Sequence, residues 1–396
     1  MSPQKPVDRL IHFRLDDQEK LDFKVLKLDG EELLNELYVF KLIVAFDGKR
    51  DTSPFSLLKK ATIFYPTHTN LSYYYHGVIT KYKYLGVQPP YSVFKVEIRP
   101  YVWQYTIGKN RRVYQKMSVD EIAKQVFKNI KFEDYSFQLK MKYPKSDYIT
   151  QYDESEFDFI SRLFQAHGIF YYFNHEKKSS KMIISDSDSD FQEVGDQSFK
   201  VNALTLKENL NFFVGNESLY TKEIGDLEST TLSSNTKTSL NSTDVNYFFK
   251  YQKLMTSPMI QEKLTIGKVT VADYNYETST SELIASSKDN HGPDVELFEY
   301  PAGFKQPSEK DGLAQIRLGS FTYSKFIMRA KVFYPVKVAS KIKIEDDPGF
   351  ERKNIKGKVF KILKVTHHFN KQGYDCRIEA IPEAAKYIPP ITFKKP

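Results

Sequence analysis

Asp186, Asp188 and Asp190 stand at alternate positions in SDSDSD, the spacing with which a calcium loop opens, because that ion draws carboxylate oxygens from the first, third and fifth places. The rest of such a loop is missing: its sixth place needs glycine for a sharp turn and holds Phe191, and its twelfth needs a bidentate Glu and holds Gln197. A solvated acidic turn after a strand is the expectation. Histidine occurs at 12, 68, 76, 167, 175, 291, 367 and 368. The one close pair is adjacent, and in a strand His367 and His368 point to opposite faces, unlike two ligands of one metal. Structural roles are expected for all eight. Lys81-Tyr82-Lys83-Tyr84 alternates as a stacking platform for single-stranded nucleic acid would. Strand geometry separates the two residue types, so core tyrosines beneath a lysine-lined solvent face are expected. HExxH, GxSxG, GxxxxGK[ST] and GxGxxG are absent, and 50 acidic residues single out no glycosidase pair. The sequence therefore nominates no catalytic residue, no cofactor-binding residue, no metal ligand and no cofactor.

The chain that would hold such groups has 396 residues, more than one hydrophobic core usually supports, so two or three domains are expected. Hydrophobic residues make up 40% and charged residues 27%, with a mean hydropathy of −0.50, as in an aqueous globular protein. The 27 Tyr and 30 Phe favour pleated, half-buried surfaces. A net charge of +8 suits an anionic partner, but the cations are scattered and only short pairs such as Lys59-Lys60 and Lys177-Lys178 occur. One cysteine, Cys376, excludes an intramolecular disulfide framework and points to synthesis in a reducing cytosol. No apolar run approaches the roughly 18 residues of a membrane span, and the first ten residues lack the apolar core of a signal peptide. Export would need another machine.

Strands are expected in the run from Leu37 to Phe46, ending at the turn pair Asp47-Gly48, and in ATIFY, LSYYYHGVITKYKYL and YSVFKVEIRP, the last following Gln88-Pro89-Pro90. In the last of these, Phe94, Val96 and Ile98 form the apolar face and Lys95, Glu97 and Arg99 the wet one. Ser118 to Glu121 is a capping box ahead of Ile122, Val126 and Phe127. A second helix starts at Ser155, has acidic Glu156 and Asp158 at its positive end, carries Phe157, Ile160, Leu163 and Phe164 on one stripe, and stops at His167-Gly168. IFYYF and KMIIS follow as strands. The expected layout is mainly β: a first barrel-like domain over 1–106, an α+β insertion over 107–190, a return to the first barrel and a linker over 191–240, a second barrel-like domain over 241–382, and a proline-containing linker over 383–396. Within 191–240 the stretch LSSNTKTSLNST has little to bury. The second barrel carries turns at Asp347-Pro348-Gly349 and near Gly373, one short helical segment near Gly312 to Leu318, and a last strand with Tyr374, Cys376, Ile378 and Ala380 on its apolar face.

The stretch from Gln151 to Leu163, continuing into His167-Gly168-Ile169-Phe170-Tyr171-Tyr172-Phe173, resembles the signature of VgrG proteins, the spikes of type VI secretion. Tyr75-His76-Gly77-Val78-Ile79, Arg99-Pro100 with Trp103, Arg111 to Gln115, Glu299-Tyr300-Pro301-Ala302-Gly303, Gly312 to Leu318 and Glu379-Ala380-Ile381-Pro382 resemble the same family in the same order. The resemblance implies a hub of the phage baseplate kind: two related barrels per chain, a homotrimer presenting six, and an adaptor between a hexameric tube ring and a trimeric spike. Its implied partners are an Hcp-like tube protein, a spike or needle domain or chain, baseplate components and effectors or their adaptors, without nucleic acid or a membrane span. It implies assembly in the bacterial cytoplasm, export with the spike, and no enzymatic activity. VgrG chains continue into an oligonucleotide-binding-type barrel and a needle that this sequence lacks. A hub of a phage tail or extracellular injection particle, and a carbohydrate- or nucleic-acid-binding β module, are the alternatives; the core of the insertion is a sufficient explanation for Ser155 to Phe173.

Overall fold

The computed structural model describes residues 11–16, 21–47, 54–65, 72–202, 254–256, 258–278, 280, 282–346, 357–370 and 373–392. LSSNTKTSLNST, Gly48 and the turn at 347–349 lie outside the described residues. Six strands come first: β1 (His12–Leu15), β2 (Phe23–Leu33), β3 (Val39–Asp47), β4 (Lys60–Tyr65), β5 (Tyr73–Gln88) and β6 (Tyr91–Arg99). They pair antiparallel in the order β1-β4-β5-β6-β3-β2, and β2 returns to β1 through His12↔Lys24 and Phe13↔Phe23, so the sheet closes. Closure covers strand edges along the ring, except where β5 runs on past its last partner in β4 and is paired with β6 alone. The alternation read in β6 holds, with Phe94, Val96 and Ile98 buried inside. Gly77 is required where β5 crosses β6, since a Cβ there would lie 2.6 Å from the Arg99 carbonyl oxygen.

An α+β unit follows: β7 (Asn110–Met117), α1 (Val119–Asn129), β8 (Tyr135–Gln138), β9 (Ser146–Glu154), α2 (Glu156–Ala166), β10 (Phe170–His175) and β11 (Ser180–Ser185). Both helix starts are as the sequence predicts. The Ser118 amide donates to Glu121 Oε2 at 2.9 Å in α1, and Ser155 Oγ accepts from the Asp158 amide at 3.0 Å in α2. Gly168, at φ +70°, turns the chain so that the Ile169 amide reaches the Phe164 carbonyl at 2.9 Å. Phe157, Ile160, Leu163 and Phe164 join Ile122, Val126 and Phe127 in a core of the unit's own.

The remaining strands are β12 (Gln192–Asn202), β13 (Leu254–Thr256), β14 (Met259–Glu262), β15 (Lys268–Asp273), β16 (Leu283–Lys288), β17 (Glu296–Glu299), β18 (Phe326–Val332), β19 (Ser340–Asp346), β20 (Val359–Asn370) and β21 (Gly373–Pro382), with helix α3 (Lys310–Thr322) before β18. Six of them, β12, β13, β18, β19, β20 and β21, close a second ring in the order β12-β19-β20-β21-β18-β13. Numbered along the chain, the pairing is identical in both rings: first with fourth, fourth with fifth, fifth with sixth, sixth with third, third with second, second with first. They differ in direction at one strand. β12 runs parallel to both neighbours, whereas its counterpart β1 is antiparallel to both.

Three expectations are corrected here. Residues 192–202 do not return to the first barrel, because β12 fills the place between β19 and β13 in the second. The short helical segment is a 13-residue helix, packed on the three-stranded sheet β16-β15-β17 with a core of Val269, Val271, Leu283, Ala314 and Leu318, so a second α+β unit interrupts the second ring. The proline-containing tail is docked as far as Thr392: Tyr387 and Ile388 are buried, and Thr392 donates through its amide to Gln165 Oε1 at 2.8 Å.

The duplication reaches details. β5 slips register by one residue between Ile79 and Lys81 opposite β6, and β20 does so between Ile362 and Lys364 opposite β21. On the strands they face, Lys95-Val96-Glu97-Ile98-Arg99-Pro100 matches Arg377-Ile378-Glu379-Ala380-Ile381-Pro382.

Candidate functional site: the seam between the rings

The two rings are one continuous sheet, because the second half of β2 pairs antiparallel with the second half of β20, from Leu28↔Phe369 to Leu33↔Lys364. Polar groups are concentrated at this seam. Glu32 of β2 is buried, with Oε2 at 2.9 Å from His367 Nε2 of β20 and Oε1 at 3.5 Å from His175 Nε2 of β10. The first is a hydrogen bond and the second a contact at its limit. His175 Nδ1 accepts the His76 amide of β5 at 3.3 Å, which leaves the proton on Nε2, facing Glu32. His367 Nδ1 lies 2.7 Å from the Tyr374 hydroxyl. Burial alone would raise the Glu32 carboxyl, but the two imidazoles outweigh it and hold it at about 2. Burial lowers His175, so its ring is neutral at pH 7. Lys337 donates to the His175 carbonyl at 2.6 Å, and Tyr38 to that of His76.

A second knot lies beside it and overturns the solvated acidic turn. Asp186 and Asp188 are buried: Asp186 accepts from the Lys140 and Met141 amides and the Tyr143 hydroxyl, while Asp188 accepts from Lys361 Nζ of β20 at 2.5 Å and the Tyr387 amide at 2.6 Å. Their lone pairs are spent on staples. Among the described residues no group of three His, Cys, Asp or Glu is arranged to hold a metal ion.

The stretches that carried the sequence resemblance converge here. Tyr75-His76 meets His175 at the end of the FYYF strand; the Ile316 side chain of α3 closes on Gly168; and Arg317 joins Glu299 at 2.8 Å to the Ala166 carbonyl at 2.9 Å, tying the two α+β units together. Between these units lies a cleft of about 1250 Å³, and its guanidiniums are committed, Arg162 to Glu154 and Arg317 to Glu299. His367 and His368 do face opposite ways, inward to Glu32 and outward to Asp29 at 3.2 Å. Cys376 sits on the apolar face, fully buried, with burial pushing its thiol well above the usual range. The core reading of Tyr82 and Tyr84 fails: they are 39% and 36% exposed. Glu32 was not singled out in the sequence. Only the position of His367 across the seam gives the carboxylate its purpose.

Chemically, the seam is a set of paired acids and bases closed to solvent, a clamp rather than a pocket. A family model described as phage tail baseplate hub (GPD) matches residues 31–212 and 234–373. The chain belongs to that family. Its VgrG resemblance is borne out too. It is 23% identical over 295 residues to the type VI secretion system spike protein VgrG1a of Pseudomonas aeruginosa, covering 74% of this chain and 40% of that protein. With VgrG1c of the same organism it shares 30% identity over 161 residues, 41% of this chain and 22% of that one. The chain thus spans well under half the length of these curated relatives. Among solved structures, the Escherichia coli c3393 protein, described as a type VI secretion component similar to the T4 tail proteins gp27 and gp5, superposes with a TM-score of 0.61 at 16% identity, covering 96% of this chain and 80% of that one. A 43 kDa prophage tail protein of Shewanella oneidensis gives 0.59 at 11% identity over 96% and 99%. The hub fold is common to all three.

Proposed function

We propose that this chain is the structural hub at the base of a type VI secretion spike. Three copies form a ring of six barrels, a hexameric tube ring seats on one side of it, and the trimeric spike continues from the other. The observation that supports this is the duplicated ring: two six-strand rings with one pairing scheme, held in one sheet, are what a threefold particle needs to offer a sixfold neighbour. The two α+β units, here proposed as excursions from the rings, are locked to each other and to the seam, so the chain moves as a block when the machine fires. The proposal gives the chain no reaction of its own. It places assembly in the bacterial cytoplasm with baseplate components, and departure with the spike. A cargo partner is included, because one similar solved structure is a complex of Francisella PdpA with VgrG. Electron-microscopy averages of the purified chain test it: an end-on view with six lobes and threefold symmetry is expected, and compact single-copy particles would end the reading. Seating on type VI rather than phage tail tube rings separates it from the alternative of a tail hub, whose fold it shares.

A further inference from the structure

The duplication allows the covered seam to be laid over its own counterpart. Matching β6 to β21 and β3 to β18 by their pairings sets Ile79, Lys81, Tyr82, Lys83 and Tyr84 of β5 at the places of Ile362, Lys364, Val365, Thr366 and His367 of β20. It sets Met259, Ile260, Gln261 and Glu262 of β14 at the places of Asp29, Gly30, Glu31 and Glu32 of β2. Inside the chain, the β2 and β20 segments pair with each other. Their counterparts pair with nothing on the same side: among the described residues β5 beyond Ile79 is bonded only to β6, and β14 only to β18.

Exposure follows the same division. Val365 and His367 are 0% and 1% exposed, whereas Tyr82 and Tyr84 are 39% and 36%. Glu32 is buried while Glu262 is exposed, and Met259 beside it is half bare. Two open strand edges with apolar side chains left uncovered are a template for strand addition.

We infer that a second copy of this chain covers them: β14 of one copy pairs antiparallel with the second half of β5 of the next, repeating between copies the seam that β2 and β20 make within one. The register is inherited. Glu31↔Thr366 becomes Gln261 opposite Lys83, Gly30↔His367 becomes Ile260 opposite Tyr84, and Glu262 falls opposite Tyr82, within diagonal reach of the Tyr84 hydroxyl as Glu32 is of His367. The two edges belong to different rings, so the contact is head-to-tail and each copy keeps one edge of each kind open until the assembly closes. Closure at three copies rests on the hub reading; the strand pair and its register do not.

The test is paired cysteines in the full chain. Residues opposite each other in an antiparallel ladder have Cα atoms about 4.5 or 5.5 Å apart in alternation, within disulfide range. The pairs Ile260→Cys with Tyr84→Cys and Gln261→Cys with Lys83→Cys are adjacent rungs, so one of them has the closer spacing. The native Cys376 is fully buried and does not compete. Under mild oxidation at least one double variant is expected to run as a reducible covalent trimer, while each single variant, and Ile260→Cys with the out-of-register Val87→Cys, stays monomeric on a non-reducing gel. Light scattering before oxidation separates the two failures. A trimer that forms no crosslink with either pair overturns this interface and leaves the hub standing; monomers without crosslinks overturn both.

Discussion

His367 and Tyr84 occupy the same place in two rings built on one pairing scheme, and they live in opposite conditions. His367 is closed from solvent between Glu32 and Tyr374, whereas Tyr84 leans on Phe94 with a third of its surface exposed. One rung away the contrast repeats, Val365 covered and Tyr82 open. Nearer the ring's own core the places converge again: Lys361, opposite Ile381, and Val78, opposite Arg99, are equally buried, but the second ring puts a charge there and supplies Asp188 to meet it. The barrel scaffold does not dictate these differences. What lies across the strand edge does: a neighbouring ring and a docked tail on one side, solvent on the other.

Changes at the covered places should therefore cost folding, and changes at the open places should cost only association. Lys361→Ala strands the Asp188 carboxylate in a buried site, with an expected loss of about 3–5 kcal/mol by denaturant titration. A Val78→Ala change in the first ring removes only apolar volume and should lose about 1–3 kcal/mol. If the two losses are equal, the ion pair is not what distinguishes the rings.

Glu32→Gln keeps the shape of the seam and removes its anion. The depression of the Glu32 carboxyl from 4.5 to about 2 corresponds to about 3 kcal/mol, present above the unfolded value and lost as pH falls from about 4.5 towards 2. His175 acts in the same sense at a higher pH: held neutral by burial, it withdraws stability as pH falls below the ordinary histidine value of 6.5. Stability profiles of the wild type should therefore decline in two stages with acid, and Glu32→Gln should flatten the lower one. A profile unchanged by the substitution would remove Glu32 from the clamp.

Smaller effects test the α+β unit and the open edge. Ser155→Ala should cost about 1 kcal/mol through the lost cap of α2, read as a lowered melting temperature. Tyr82→Ala should change folding stability by no more than about 0.5 kcal/mol in the dissociated chain, as at other exposed sites, while weakening assembly. A large folding loss there would mean that the first ring is not open after all.

Much of this was legible in the sequence wherever local physics decides. The capping box at Ser118, the Ser155 helix with its Gly168 stop, and the alternation in Phe94 to Ile98 and Cys376 to Ala380 each follow from neighbours a few residues away. The seam was not legible, because its partners are distant. Glu32 and His367 are 335 residues apart, and Asp188 and Lys361 are 173 apart. Nothing beside Glu32 in the chain signals a buried acid, and SDSDSD reads as a wet turn until Lys361 and the tail arrive. β12 escapes the sequence for a related reason: its partners β13 and β19 lie about 50 and 150 residues further on, so nothing near it in the chain points to its place.

The contrast between the rings requires that the open edges of one chain be filled by another. Light scattering on the purified chain across a concentration series, wild type beside Ile260→Lys, measures this directly. A mass three times that of the chain for the wild type, falling to a single chain in the variant without loss of fold, is predicted. A wild type that stays at single-chain mass at every concentration would contradict it.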